Sequence, residues 1–360
     1  MAGSEYFSSD FAEARRRFAA AAAHAGARMF SYVHPGRGPN GEELASDVAW
    51  YGPEDAERVL VTISGTHGVE GFSGSAVQTG WFESGLAAQQ PDGIAYMALH
   101  AINPHGFAWL RRVTEDNVDL NRNFVDFAQP LPENPGYDAL AEALCPPTWD
   151  DATIAATREI LAAYAEKHGA HGLQAAIANG QYKHASGIFY GGRAPAWSHR
   201  TLKQVFARHL SGAKKVATID YHTGLGPRGH GERIFPSTPG GAAFKRVQSW
   251  YGDDFTSTAL GTSSSTEVRG FNVTGMEEAI PQVEVTAIAL ECGTLPTEEV
   301  KLALRADNWL HCYGDPASPK GRAIKAQLRE AFYQDADDWK QMIWERALET
   351  QRLALAGLAG

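Results

Sequence analysis

Cysteine is scarce in this chain of 360 residues: there are three, Cys145, Cys292 and Cys312, and none forms a CxxC pair. That excludes a disulfide framework and a thiolate zinc site, and predicts reduced, buried thiols. Basic residues are outnumbered, 32 Lys and Arg against 42 Asp and Glu, for a formal net charge of −10. A phosphate-binding surface needs clustered cations, so no nucleic-acid partner is expected. No apolar run approaches the length of a membrane span, so no membrane partner is expected either. Arg15 to Arg17 and the alanine-rich run to Ala27 imitate a secretion signal, but acidic residues precede them and His24 and Gly26 interrupt the run. The pattern predicts a helix instead, with Asp10 and Glu13 as N-cap and N3, and a cytoplasmic location.

What remains is the composition of a globular enzyme, 44% hydrophobic and 21% charged. Strand-like runs lie at 46–51, 58–64, 94–101, 214–221, 232–235 and 285–291. Several are apolar throughout rather than alternating, which predicts strands covered on both faces. Helix-like stretches at 71–84, 151–168, 199–210 and 243–251 fall between them. This succession predicts one α/β domain over residues 1–360, a sheet with helices on both faces. Residues 126–150, rich in proline, read as an irregular surface excursion. Residues 297–360 read as a helical extension of three amphipathic helices, broken near Pro316 and Pro319 and near 334–337, packed at the sheet's edge.

Four separated stretches carry the chemistry. In Thr66-His67-Gly68-Val69-Glu70, Gly65 and Gly68 loosen the backbone after a predicted strand, so His67 and Glu70 can converge. Ligand sites of open α/β sheets gather beyond the carboxyl ends of strands, where this loop would lie. With 13 histidines in the chain, such a pair alone means little. His222, however, ends another apolar strand and is again followed by glycine. Two neutral imidazoles and one carboxylate leave a fourth tetrahedral position for water, the pattern of catalytic rather than structural zinc. His100 and His105 compete but lack a carboxylate at suitable spacing. Glu291 ends the run 285–290, where apolar surroundings would raise its pKa toward that of a working base. Glu284 is the nearest competitor, and the plain alternative for Glu291 is a salt bridge at a strand end.

HxxE at 67–70, Asn103-Pro104-His105-Gly106, Asp119-Leu120-Asn121-Arg122-Asn123-Phe124, Asp220-Tyr221-His222-Thr223-Gly224 and the late Glu291 occur in this order between Gly65 and Thr294. In this the chain resembles the zinc carboxypeptidase family, typified by carboxypeptidase A, and its deacylase relatives such as aspartoacylase and succinylglutamate desuccinylase. The resemblance implies a mixed, mostly parallel eight-stranded sheet with helices on both faces, and one zinc ion per chain held by His67, Glu70 and His222. It implies Glu291 as catalytic base, Asn121 and Arg122 as binders of a substrate carboxylate, and Asp119 as the residue orienting a zinc histidine. Arg112 would stabilise the oxyanion, with Arg111 beside it as the alternative. The gap between this arginine and Arg122 is shorter than in carboxypeptidase A and closer to the deacylases. The family's late tyrosine over the substrate has no clear equivalent; Tyr251 is a candidate, and Arg269 in the loop 261–275 could face a substrate carboxylate, with packing or surface charge as the plain alternative for each. Asp220, two positions before His222, either supports that histidine or serves a second metal.

The implied reaction is zinc-dependent cleavage of a peptide or amide bond next to a free carboxylate, with water activated by zinc and Glu291. A small peptide is the first substrate class and an N-acyl amino acid the second; a non-catalytic metal-binding or peptide-binding module is the third reading. Gly224-Leu225-Gly226-Pro227-Arg228-Gly229 satisfies GxGxxG, but Pro227 and the strand-like 232–235 predict a turn into another strand rather than a dinucleotide site. Gly71-Phe72-Ser73-Gly74-Ser75 misses the serine nucleophile elbow at its last position.

Overall fold

A computed structural model describes residues 3–360. The strands are β1 (Arg28–Arg37), β2 (Glu43–Tyr51), β3 (Arg58–Ile63), β4 (Ile94–His100), β5 (Lys215–Arg228), β6 (Gly231–Phe235), β7 (Thr256–Ser257) and β8 (Glu284–Gly293). The helices are α1 (Phe11–His24), α2 (Gly71–Glu83), α3 (Pro104–Ala108), α4 (Pro135–Leu144), α5 (Asp151–Ala178), α6 (Trp197–Leu210), α7 (Ala242–Tyr251), α8 (Asn272–Ala279), α9 (Thr297–Tyr313), α10 (Pro319–Phe332) and α11 (Asp337–Ala359). The strands form one eight-stranded sheet in the order β1-β2-β4-β3-β5-β8-β6-β7. Pairings are parallel along β4-β3-β5-β8 and between β6 and β7, and antiparallel at β1-β2, β2-β4 and β6-β8. The mixed, mostly parallel sheet of eight strands is therefore present.

The apolar runs explain the centre of this sheet. Val59, Leu60, Val61 and Ile63 of β3 are all fully buried, as are Ile94 to Leu99 of β4. Their alternate side chains feed two cores: one with α1, α2, α7 and α11, the other with α6 and α8. From β3 the chain passes to β4 on one side, while β5 flanks β3 on the other. This reversal opens a crevice beyond the carboxyl ends of β3 and β5, where side chains from neighbouring strands can meet.

Several expectations are corrected. α4 occupies 135–144 of the stretch read as irregular: Asn134 caps it, Pro135 sits in its first turn, and Tyr137, Leu140 and Leu144 bury against Ala176 and Ile177 of α5. α5 runs ten residues past the expected end, through a break at Gly169 with φ +78°. α11 lies not at the sheet's edge but against its face, packing on α2, α7, β3 and β5 through a stripe that includes Trp339, Ile343, Ala347, Ala354 and Leu358. Of the three free thiols, Cys292 is buried, Cys145 half-buried and Cys312 exposed. No helix among the described residues is long and apolar enough to cross a membrane.

Candidate metal centre

β3, β5 and β8 are neighbours in the sheet, and each delivers one part of the centre at its carboxyl end. After β3 the chain makes a single 3₁₀ turn at Gly68–Glu70, with His67 in extended conformation before it. The amides of Gly68 and Val69 bond the carbonyls of Arg112 and Arg111, at 3.2 and 2.9 Å, which ties this turn to the arginine segment. His222 lies within β5, in register with Glu291 of β8. One ligand atom from each of His67, Glu70 and His222 falls within 4.8 Å of the others, and among the described residues this is the only such group of three or more His, Cys, Asp or Glu.

The orientation of the rings tests whether a cation fits. His222 Nδ1 lies 3.0 Å from Glu70 Oε2, and His67 Nδ1 lies 3.0 Å from Glu70 Oε1. The second contact is too poorly aligned to be a hydrogen bond, so His67 Nδ1 is buried without a hydrogen-bond partner among the described residues. The outer nitrogens are both taken by carboxylates: His67 Nε2 by Asp119 at 3.2 Å and His222 Nε2 by Asp220 at 2.8 Å. A carboxylate on the far nitrogen fixes the ring and its tautomer and leaves the near nitrogen free to ligate. Four buried carboxylates, Glu70, Asp119, Asp220 and Glu291, share the region with only two guanidinium groups, Arg112 and Arg122. Negative charge is in excess, and a divalent cation on the three donors would offset it. The residues fit a metal ion.

Proton affinities reflect the same charge balance. Burial opposes a charge on His222, yet Asp220 and Glu70 hold its pKa well above the usual imidazole range. Burial likewise works to raise Glu70, but His67 and His222 hold it below the carboxylate range. Glu291 moves the other way: burial, followed by the charge of Glu70, pushes it up to about 7 against the pull of His222, the Leu225 amide and Arg112. The Leu225 amide donates to its Oε1 at 3.0 Å.

Arg112, not Arg111, turns toward the centre. Its Nε donates to Asp119 and its Nη1 to Glu70, both at 3.0 Å, while Arg111 donates to Asp307 at 3.3 Å and Asn117 at 2.9 Å. Asn121 borders the same pocket; its Oδ1 accepts from the Asn272 amide at 3.2 Å, which leaves Nδ2 for a ligand. Arg122 also borders the pocket, but its Nε and Nη2 converge on the Ala178 carbonyl at 3.0 and 2.6 Å and its Nη1 donates to the Asn121 carbonyl at 3.1 Å. Of the five N–H groups of a guanidinium, at most one on each Nη is left for a substrate. Asp220 accepts from Thr66 Oγ1 at 2.8 Å and Asn272 Nδ2 at 2.6 Å besides meeting His222, which places it as the support of that histidine.

Other candidates lie elsewhere. Tyr251 is buried with Arg233 over its ring at 5.3 Å, and Arg269 borders not the metal pocket itself but a cleft, shared with Glu267 and Glu277, that adjoins it along Pro236, Thr258, Val268 and Phe271. Glu284 pairs with Arg246 at 3.3 Å, at the opposite end of β8 from Glu291. His100 is stacked on Phe18 at 4.5 Å. The GxGxxG stretch is the end of β5 and the turn into β6. Sequence reasoning missed Asn272, which no motif marks, and the pocket wall formed by Thr297, Val300, Lys301 and Leu304 of α9.

No curated protein matches the chain by sequence. Similar solved structures include carboxypeptidase A from Helicoverpa armigera, 11% identical with a TM-score of 0.45 over 90% of this chain and 74% of that one. Murein-tripeptide amidase from Escherichia coli O157 is 13% identical with a TM-score of 0.34, over 82% and 91%. An aspartoacylase family protein from Mesorhizobium loti is 14% identical with a TM-score of 0.39, over 79% and 66%. The family model described as protein of unknown function (DUF2817) matches residues 7–346, and the chain belongs to that family.

Proposed function

We propose that the protein is a zinc-dependent hydrolase that cleaves a peptide or amide bond next to a free carboxylate. The observation that carries this reading is the convergence of His67, Glu70 and His222 beside Glu291, a carboxyl whose pKa is pushed up to about 7. His67, Glu70 and His222 would hold the zinc ion, which when bound would supply the Lewis acidity for the carbonyl and for water. Glu291 takes a proton from the attacking water as its oxygen bonds to the acyl carbon, then passes that proton to nitrogen as the C–N bond breaks. The products are a carboxylate and an amine. Arg112, with Nε and Nη1 already engaged, offers Nη2 to the oxyanion. Asn121 Nδ2 and the remaining Arg122 N–H groups orient the substrate carboxylate.

Elemental analysis, a survey of dipeptides and N-acyl amino acids, and Glu291→Gln together test the reading. One zinc per chain is expected, with hydrolysis lost by at least about 100-fold in Glu291→Gln while zinc content is unchanged. A chain that binds no divalent ion, or a Glu291→Gln variant as active as wild type, would reject it. Metal binding without turnover of any amide would leave the non-catalytic reading.

A further inference from the structure

A second cavity, of about 340 Å³, lies between α5 and α9 and adjoins the metal pocket along Ile177, Phe189, Lys301 and Leu304. We propose that this cavity is a subsite for the alkyl chain of an N-acyl substrate, so that the enzyme favours long-chain N-acyl amino acids over short ones. The inference rests on the hydrolase reading above and adds the substrate's acyl part to it.

The lining decides the class of ligand. Leu144, Leu161, Leu173, Ile188 and Leu302 supply apolar surface, and Leu161, Leu173 and Leu302 are only half-buried. Of the charged groups at its border, Arg305 donates to the carbonyls of Ala143 and Leu144 and to Thr157, Lys301 pairs with Glu298 at 2.9 Å, and Arg158 and Glu299 are exposed at the rim. A peptide laid here would need partners for its own amides and carbonyls, as it finds when it adds to a sheet edge. The two long walls are helices, whose interior backbone groups are spent on each other. An alkyl chain needs no such partner and gains from each methylene it buries.

Phe189 sets the junction. It has φ +55°, a left-handed conformation that bulky residues rarely adopt, and its carbonyl accepts from the Gln181 amide at 3.1 Å. Its ring stands under both Arg112 and Arg122, with the guanidinium carbons 5.5 and 5.4 Å from the ring centre, and it borders both cavities. Strain of this kind persists where the surroundings over-determine a conformation, and here it fixes an aromatic ring between the polar reaction site and the apolar groove. A substrate whose carbonyl meets Arg112 can pass its alkyl chain over Phe189 into the groove.

The experiment compares kcat/KM for N-acetyl, N-hexanoyl and N-decanoyl amino acids on the full-length protein, wild type and two groove variants outside the reaction site, Ala162→Trp and Leu161→Asn. Wild type should gain about two- to fourfold per added methylene. Both variants should lose at least about tenfold on the decanoyl substrate and keep the acetyl rate. A flat chain-length profile in wild type, or a gain that survives both variants, would overturn the subsite. Calorimetric titration with decanoate separates the two failures. Decanoate binding weakened in both variants, with no amide turned over, retains the subsite and rejects the hydrolase reading; binding equal in all three proteins rejects the subsite.

Discussion

At the scale of single residues, the centre depends on groups that never touch a substrate. Asp220 takes His222 Nε2 at 2.8 Å and is itself held by Thr66 and Asn272. Removing it frees the ring to rotate and removes a negative charge that favours a cation. Asp220→Ala should therefore weaken metal binding by about 10- to 100-fold, read by competition with a chelator, while Asp220→Asn, which can still accept from Thr66, should lose less. Arg122 makes a different case. Its fork grips the Ala178 carbonyl and its guanidinium carbon lies over the Phe189 ring, so it supports the pocket wall as well as facing the pocket. A lysine cannot hold one carbonyl with two nitrogens and still present further donors. Arg122→Lys should raise KM by about tenfold or more on substrates with a free carboxylate, with kcat much less affected; equal KM values would remove Arg122 from carboxylate binding.

At the scale of elements, one close approach joins the metal turn to the arginine segment. Asn103 caps α3, its Oδ1 accepting from the Gly106 amide at 2.9 Å, with Pro104 in the first turn. This packs the Gly106 backbone directly on Gly68, where a Cβ would run into the Gly106 carbonyl carbon. The NPxG motif thus acts as a backbone seat for the turn that carries His67 and Glu70. Gly68→Ala should cost roughly 1–3 kcal/mol and lower zinc stoichiometry, measured by thermal unfolding and metal analysis; unchanged values in both would dismiss this seat. The elements differ in how legible they are from the residues alone. Strands such as β3 and β4 announce themselves by continuous apolar runs, and the histidines and glutamates stand at their ends. β1, by contrast, is a mostly solvent-facing edge strand containing Pro35 and Gly36, so neither periodicity nor propensity marks it. α8 is a short helix holding Gly275, yet its Asn272 buttresses Asp220 from 52 positions away. α9 reads in the sequence only as part of a helical tail, because a pocket wall assembled from separate elements leaves no local pattern.

At the scale of the whole molecule, burial of neutral imidazoles links stability to pH. Burial lowers His100, His105, His199 and His209 to about 4 and His311 to about 3. His100 is the clearest case: it is fully buried, stacks on Phe18 and shares a 2.9 Å hydrogen bond with Ser75, and Arg15 further disfavours its charge while Asp47 opposes the shift. In the unfolded chain a histidine takes up its proton near 6.5, but the folded protein refuses it until about 4. Between those values the unfolded state binds more protons, so stability rises with pH across this window. The contribution is full above about 6.5 and is lost as the pH falls toward 4; for His100 the difference amounts to roughly 3 kcal/mol. Replacing His100 by asparagine, which does not titrate, removes this share and leaves the other groups in place. Thermal unfolding from pH 7 to 4 should then show wild type losing more stability than His100→Asn, with the gap opening below 6.5 and levelling near 4. Parallel curves would mean that His100 accepts its proton in the folded state as readily as in the unfolded one, and the acid sensitivity would then fall to the carboxylates around the metal centre.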